Sequence, residues 1–135
     1  QKKLNLTYIF ISHDLSVIEH VCNRIAVMYL GKIVEIAPRE ELYRNPQHPY
    51  TKALLGSIPT IGQGKKRMSK ILTGEIPSPI NPPSGCAFHP RCPYAFDRCK
   101  VETPQLIEVN ADPIAGPTRT RSACFLTYPP QEKSC

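Results

Sequence analysis

Two sets of residues in this 135-residue chain could do chemistry. The first is a series of cysteines in its second half, Cys86-x5-Cys92-x6-Cys99-x24-Cys124. Thiolates ligate soft metals and thiols close disulfides. Four of them in a proline-rich segment need a reason, because that segment is too poor in large apolar residues to bury an adequate core by itself. Three reasons compete. Disulfides would staple the segment. Zinc would hold it, although structural zinc sites usually bring ligands in pairs about two to four residues apart and these gaps are wider. A four-iron cluster is a larger cuboid, and one cysteine from each of four loop positions suits its corners. The second set is a single residue, His13, which stands where an apolar run ends and a helical pattern begins. Ligands of open α/β sheets bind at the carboxyl ends of strands, and an imidazole there can donate to a phosphoryl oxygen. A lone histidine is more often a satisfied structural residue, and position alone leaves both readings open.

The elements that must position these residues follow from pattern. Leu4 to Ser12 reads LNLTYIFIS, which suits a buried parallel strand with neighbours on both sides. Asp14 is a candidate N-cap for a helix over Leu15 to Arg24, whose apolar face carries Val17, Ile18, Val21, Cys22 and Ile25. Ile25 to Leu30 and Ile33 to Ala37 read as two strands joined by a tight turn through Gly31-Lys32. Pro38 starts a helix through Arg39 to Arg44, and Pro49 starts another through Tyr50 to Leu55. His48, just before that proline, reads as structural. Glu75 to Ser84 holds four prolines in ten residues, which excludes helix and central strand and makes a stiff connector.

Composition bounds the function. The chain carries 17 basic against 11 acidic residues, a net charge of +6 that is spread diffusely. Lys65, Lys66, Arg67 and Lys70 form the one basic cluster, and no aromatics interleave with it, so nucleic-acid binding is not expected. The longest apolar run, Ile25 to Leu30, is far short of the roughly 18 residues that span a bilayer. The chain begins at Gln1 with no basic and apolar leader pattern, and reads as a piece cut from a longer protein. Its first 60 residues hold 4 of the 15 prolines and, in Cys22, one of the six cysteines. The expected division is therefore 1–37, 38–60 and a Pro/Cys-rich extension over 61–135.

Longer motifs carry a resemblance. Thr7-Tyr8-Ile9-Phe10-Ile11-Ser12-His13-Asp14-Leu15, followed by Val27-Met28-Tyr29-Leu30-Gly31-Lys32-Ile33-Val34-Glu35, resembles the end of the ATP-binding domain of ABC transporters. Asn45-Pro46-Gln47-His48-Pro49-Tyr50-Thr51-Lys52-Ala53-Leu54-Leu55 is similar to the HPY signature of the oligopeptide and dipeptide importers and their nickel-uptake relatives. Gly74-Glu75-Ile76-Pro77-Ser78-Pro79 and Cys86-Ala87-Phe88-His89-Pro90-Arg91-Cys92-Pro93 resemble that family's C-terminal extension.

The resemblance implies an α/β fold: the end of an ABC-type nucleotide-binding domain, in the order strand, helix, strand, strand, followed by a short helical and loop-dominated extension. It implies an energy-coupling ATPase subunit that takes up peptides or nickel and uses ATP with Mg²⁺, with His13 as the switch histidine at the γ-phosphate. It also implies a [4Fe-4S] cluster on Cys86, Cys92, Cys99 and Cys124. The implied partners are membrane-embedded permease subunits, a second ATP-binding subunit and, indirectly, an extracytoplasmic substrate-binding protein, and the implied location is peripheral, at the cytoplasmic face of the membrane. The sequence departs from a complete ATPase. Gly62-Gln63-Gly64-Lys65 lacks the spacing of a GxxxxGK[ST] loop, and the metal-holding aspartate, its neighbouring glutamate and the signature segment do not occur. By itself this chain is expected to hydrolyse no ATP. The rival reading is a stand-alone iron-sulfur or zinc module with the first sixty residues as scaffold.

Overall fold

Alternation along β1, Arg24–Tyr29, sets the arrangement: Ile25, Val27 and Tyr29 are buried while the residues between them face outward. A computed structural model describes residues 3–58, 74–109 and 120–128. The basic cluster at 65–70, the glycine pair at 62–64 and Cys135 lie outside these residues. β1 pairs antiparallel with β2, Lys32–Pro38. The turn between them is centred on Leu30 and Gly31, whose φ values are 46° and 76°. Two successive positive φ angles match the right-handed twist of a hairpin, so the turn falls one residue earlier than the expected Gly31-Lys32.

Before the hairpin, helix α1, Leu15–Val21, begins as expected at Asp14, whose carboxylate accepts from the amides of Ser16 and Val17. Within this helix only Ile18 is buried. Val17 and Val21 are exposed, so the apolar face predicted from spacing is half covered. The expected strand over Leu4 to Ser12 does not form: Ile9 and Ile11 are each 92 % exposed and no ladder includes the run. A buried parallel strand needs a partner on each side, and among the described residues none is aligned with it.

After the hairpin, α2, Arg39–Arg44, follows Pro38, and α3, Pro49–Gly56, follows Asn45–His48. The Tyr43 hydroxyl donates to the Leu15 carbonyl at 2.6 Å and ties α2 to α1. The proline-rich stretch after Gly74 forms neither helix nor strand, as its fixed φ angles require. Beyond it come a 3₁₀ turn at His89–Arg91, α4 at Asp97–Val101, β3 at Ile107–Glu108, β4 at Arg121–Ser122 and a second 3₁₀ turn at Phe125–Thr127. The sheet order is β1-β2-β4-β3, antiparallel throughout. The mixed α/β class and the helix, strand, strand order hold. The addition of the cysteine-bearing extension to the free edge of β2 was not legible, because its strands are two residues long.

Two glycines with positive φ separate dihedral cost from steric cost. A methyl group at Gly31, φ +76°, would meet nothing within 4 Å, whereas one at Gly85, φ +66°, would lie 2.5 Å from the Cys99 carbonyl oxygen and 2.8 Å from the Lys100 carbonyl carbon. Gly31→Ala should cost about 1–2 kcal/mol, the left-handed penalty alone. Gly85→Ala should cost clearly more and weaken the Cys86 amide bond to the Cys99 carbonyl, now 2.9 Å. Urea unfolding of the two variants checks this, and equal midpoints would contradict the steric account.

Candidate functional site: a four-thiol pocket joined to a buried carboxylate

The register of β1 and β2 shifts between Val27 and Met28, leaving Val34 as an extra residue on β2. This bulge sets Glu35 opposite Val27 and Ala37 opposite Ile25, so a carboxylate occupies the same core face as three apolar side chains. Glu35 is fully buried. Burying an unpaired carboxylate costs several kcal/mol, and the chain offsets this with backbone donors. The amides of Gln47 and His48 each donate to one carboxylate oxygen at 2.8 Å, and such charge-assisted bonds contribute roughly 1.5–3 kcal/mol each. Burial is the largest influence and raises the Glu35 pKa, while the Thr51 hydroxyl, the two amides and the more distant Lys52 charge oppose it. The Thr51 hydroxyl faces the carboxylate without reaching hydrogen-bond geometry.

The same clamp delivers His48. Its ring caps α3, with Nδ1 accepting from the Tyr50 amide at 3.1 Å, and the residue is 1 % exposed. Burial, with a smaller push from Lys52, lowers its pKa to about 4. Phe88 packs against the His48 ring at 5.8 Å between centroids, against Tyr50 at 5.4 Å and against Tyr29 at 5.3 Å. Tyr29 and Tyr50 stand 4.7 Å apart. The structural role expected of His48 is observed, and the HPY run and the Cys86–Cys92 run form one aromatic core.

Phe88 lies between two of the cysteines, and the third and fourth are brought to it by backbone. The Cys86 amide donates to the Cys99 carbonyl, and the Ala123 amide donates to the Val34 carbonyl at 2.8 Å, which fixes Cys124 beside the sheet. Cys86, Cys92, Cys99 and Cys124 thereby line one pocket, walled by His48, Pro49, Phe88, His89, Tyr94, Pro104 and the Phe125-Leu126 turn. Arg98 covers the Phe125 ring at 4.3 Å from outside. All four thiols are free. Desolvation, reinforced by the neighbouring thiols, raises the pKa of Cys86 and Cys92 and pushes that of Cys124 up to about 11. Among the described residues no group of three or more His, Cys, Asp or Glu side chains is placed to hold a metal ion.

His13 stands apart from this pocket. It is exposed, between Ser12, whose hydroxyl accepts from the Asp14 amide, and Asp14, which caps α1. Cys22 packs against the core as a small apolar group, and His89 turns Nδ1 to the Cys86 carbonyl at 3.0 Å. Glu35 was missed by sequence reasoning. The signal that could have found it is a glutamate at a core-phase position in the strand IVEIA.

Comparison with known proteins identifies the class. Residues 34–99 match the family described as the oligopeptide/dipeptide transporter, C-terminal region. A probable peptide ABC transporter ATP-binding protein of Sinorhizobium fredii is 55 % identical over 107 residues, 79 % of this chain and 30 % of that protein. An oligopeptide transport ATP-binding protein of Bacillus subtilis is 56 % identical over 110 residues, 80 % of this chain and 33 % of that protein. A dipeptide transport ATP-binding protein of Haemophilus influenzae is 53 % identical over 106 residues, 78 % and 32 % respectively. The chain spans about a third of the length of the curated relatives it matches. Residues 34–99 thus carry the C-terminal region of the oligopeptide/dipeptide transporter family, and most of the chain is similar to ATP-binding proteins of peptide ABC transporters. No described helix is long and apolar enough to cross a membrane.

The lowered pKa of His48 has a sign that can be checked. A group whose folded pKa lies near 4 against an ordinary 6.5 contributes stability that is complete above pH 6.5 and is lost as pH falls toward 4. The full contribution is about 3 kcal/mol, from a shift of that size at 1.36 kcal/mol per unit. Glu35, shifted upward, acts with the opposite sign in both proteins and cancels when wild type is compared with His48→Asn. The stability advantage of wild type, measured by urea unfolding, should shrink as pH falls from 7 to 4, and a constant difference would contradict it.

Proposed function

We propose that this chain is part of the ATP-binding, energy-coupling subunit of a peptide-type ABC importer. The observation that carries this reading is its identity of about 55 % to ATP-binding proteins named for peptide, oligopeptide and dipeptide transport. The stand-alone metal-module alternative finds no support among the relatives. In this reading residues 1–37 end the ATP-binding domain, 38–60 carry the HPY segment and 61–135 form the extension. The subunit acts at the cytoplasmic face of a membrane, beside permease subunits and a second ATP-binding subunit, and serves substrate delivered by a binding protein.

In this subunit His13 is the residue that meets the γ-phosphate of Mg²⁺-bound ATP. What supports the role is its exposed place immediately before the helix cap: Asp14 is committed to the amides of Ser16 and Val17, which leaves the histidine as the side chain presented there. An imidazole N–H aimed at a phosphoryl oxygen stabilises charge that shifts during transfer, while the contacts that bind the nucleotide lie elsewhere. His13→Ala in the full-length subunit should lower kcat by about a hundredfold or more, the scale of losing one transition-state donor, with ATP affinity nearly unchanged. Steady-state hydrolysis and equilibrium nucleotide binding measure the two, and parallel loss of both would make His13 structural.

The finer reading of the thiol pocket is a [4Fe-4S] cluster on Cys86, Cys92, Cys99 and Cys124. Its support is the convergence of four free thiols, with no carboxylate, on one apolar-walled pocket. A cuboid takes its ligands at four separated corners. When bound, such a group supplies folding energy to a core-poor segment and displaces the thiol protons. Anaerobically purified full-length protein should be brown and hold about four irons per chain. Replacing any of the four by Ser should lose the iron and open the extension to proteolysis, while Cys22→Ser should keep it. Stoichiometric zinc from an iron-replete preparation, or disulfides joining these residues, would overturn the assignment.

A further inference from the structure

Two histidines line the thiol pocket, and their hydrogen bonds fix them in opposite senses. A backbone amide can only donate, so His48 Nδ1, 3.1 Å from the Tyr50 amide, must be an acceptor. An imidazole that accepts at one nitrogen is neutral and carries its proton on the other. The hydrogen of His48 is therefore on Nε2. A carbonyl can only accept, so His89 Nδ1, 3.0 Å from the Cys86 carbonyl, carries the hydrogen there, and in the neutral form of that ring only a lone pair is left at Nε2. Of the two neutral rings, His48 alone has an N–H left to give.

That ring is also held from three sides. Its backbone amide is bound by Glu35 on β2, its Nδ1 caps the start of α3, and its ring packs at a tilt on Phe88, which lies between Cys86 and Cys92 in the chain. No lysine or arginine is among the residues lining the pocket. Thiolates and sulfides gathered there carry negative charge against apolar walls, and hydrogen bonds to the sulfurs are one of the few means of offsetting it.

We propose that His48 donates its Nε2 hydrogen to a sulfur of the group held by the four thiolates, and so positions that group and raises its reduction potential. This rests on the cluster reading of the pocket. His48 is in this account a positioning residue, not a ligand: no iron bond to it forms, and the ligand set remains the four cysteines. Glu35 acts one step further out, since its carboxylate holds the backbone from which the ring projects.

The test uses the full-length subunit, purified anaerobically and reconstituted with ferrous iron and sulfide. His48→Asn keeps a side-chain oxygen able to cap α3 but has no N–H at the Nε2 position. It should retain the iron, while the midpoint potential in a redox titration moves to more negative values. Cys22→Ser, which lies outside the pocket, should load iron and titrate like wild type. Should the asparagine variant not fold, pulsed EPR of reduced protein labelled with ¹⁵N-histidine reads the contact directly. A ¹⁵N coupling to the cluster that persists in His89→Asn supports His48 as the donor. An unchanged potential in iron-loaded His48→Asn, or no histidine coupling in iron-loaded wild type, would overturn the donor role while leaving the cluster standing. Wild-type protein that takes up no iron would remove the cluster and this donor with it.

Discussion

A single buried carboxylate organises this molecule. Glu35 sits fully buried on the core face of β2, and its two oxygens accept from the backbone amides of Gln47 and His48. Because a carboxylate left unpaired in that position would cost several kcal/mol, the segment before α3 has one acceptable path across the sheet. That path decides where Pro49 can begin the helix, where the His48 ring lies and which way Tyr50 faces. An apolar residue at position 35 could pack equally well against Val27 and Ala37, but it would place no demand on the backbone twelve residues later.

The second half of the chain exploits what the clamp creates. Phe88 enters the space between His48, Tyr29 and Tyr50, and with it the loop carrying Cys86 and Cys92 is anchored to the sheet. β4 adds only two residue pairs to β2, Glu35 with Ser122 and Ile36 with Arg121. That ladder is too short to be stable in isolation, so it depends on the neighbouring packing and in turn delivers Cys124. Among the described residues the buried hydroxyls of Ser122 and Thr120 have no hydrogen-bond partner. The pocket is therefore a product of long-range contacts, with ligand candidates from two loop positions, helix α4 and the segment just after β4.

The exposed run from Leu4 to Ile11 and the exposed Val17 and Val21 form the other half of the energetic picture. They are strand-like and helix-face sequences respectively, yet burial is a property of a pair of surfaces, and among the described residues no second surface meets them. The curated relatives are longer proteins, and the stretch they share with this chain is about a third of their length.

Much of the fold was legible in the sequence for local reasons. Asp14 caps a helix because its carboxylate reaches amides two and three residues on; Gly31 turns a hairpin because it tolerates positive φ; Pro38 and Pro49 start helices because they need no amide partner there. The four cysteines could be named as a set from composition alone. What the sequence could not determine is everything that depends on register and on distant partners. One extra residue on β2 turned Glu35 inward, two short ladders fixed Cys124 to the sheet, and the choice of hydrogen-bond partner put the His48 proton on Nε2. Those outcomes were decided by the tertiary structure, because a bulge, a two-residue strand and a tautomer each change the energy by no more than a few hydrogen bonds and leave no periodic mark in the chain.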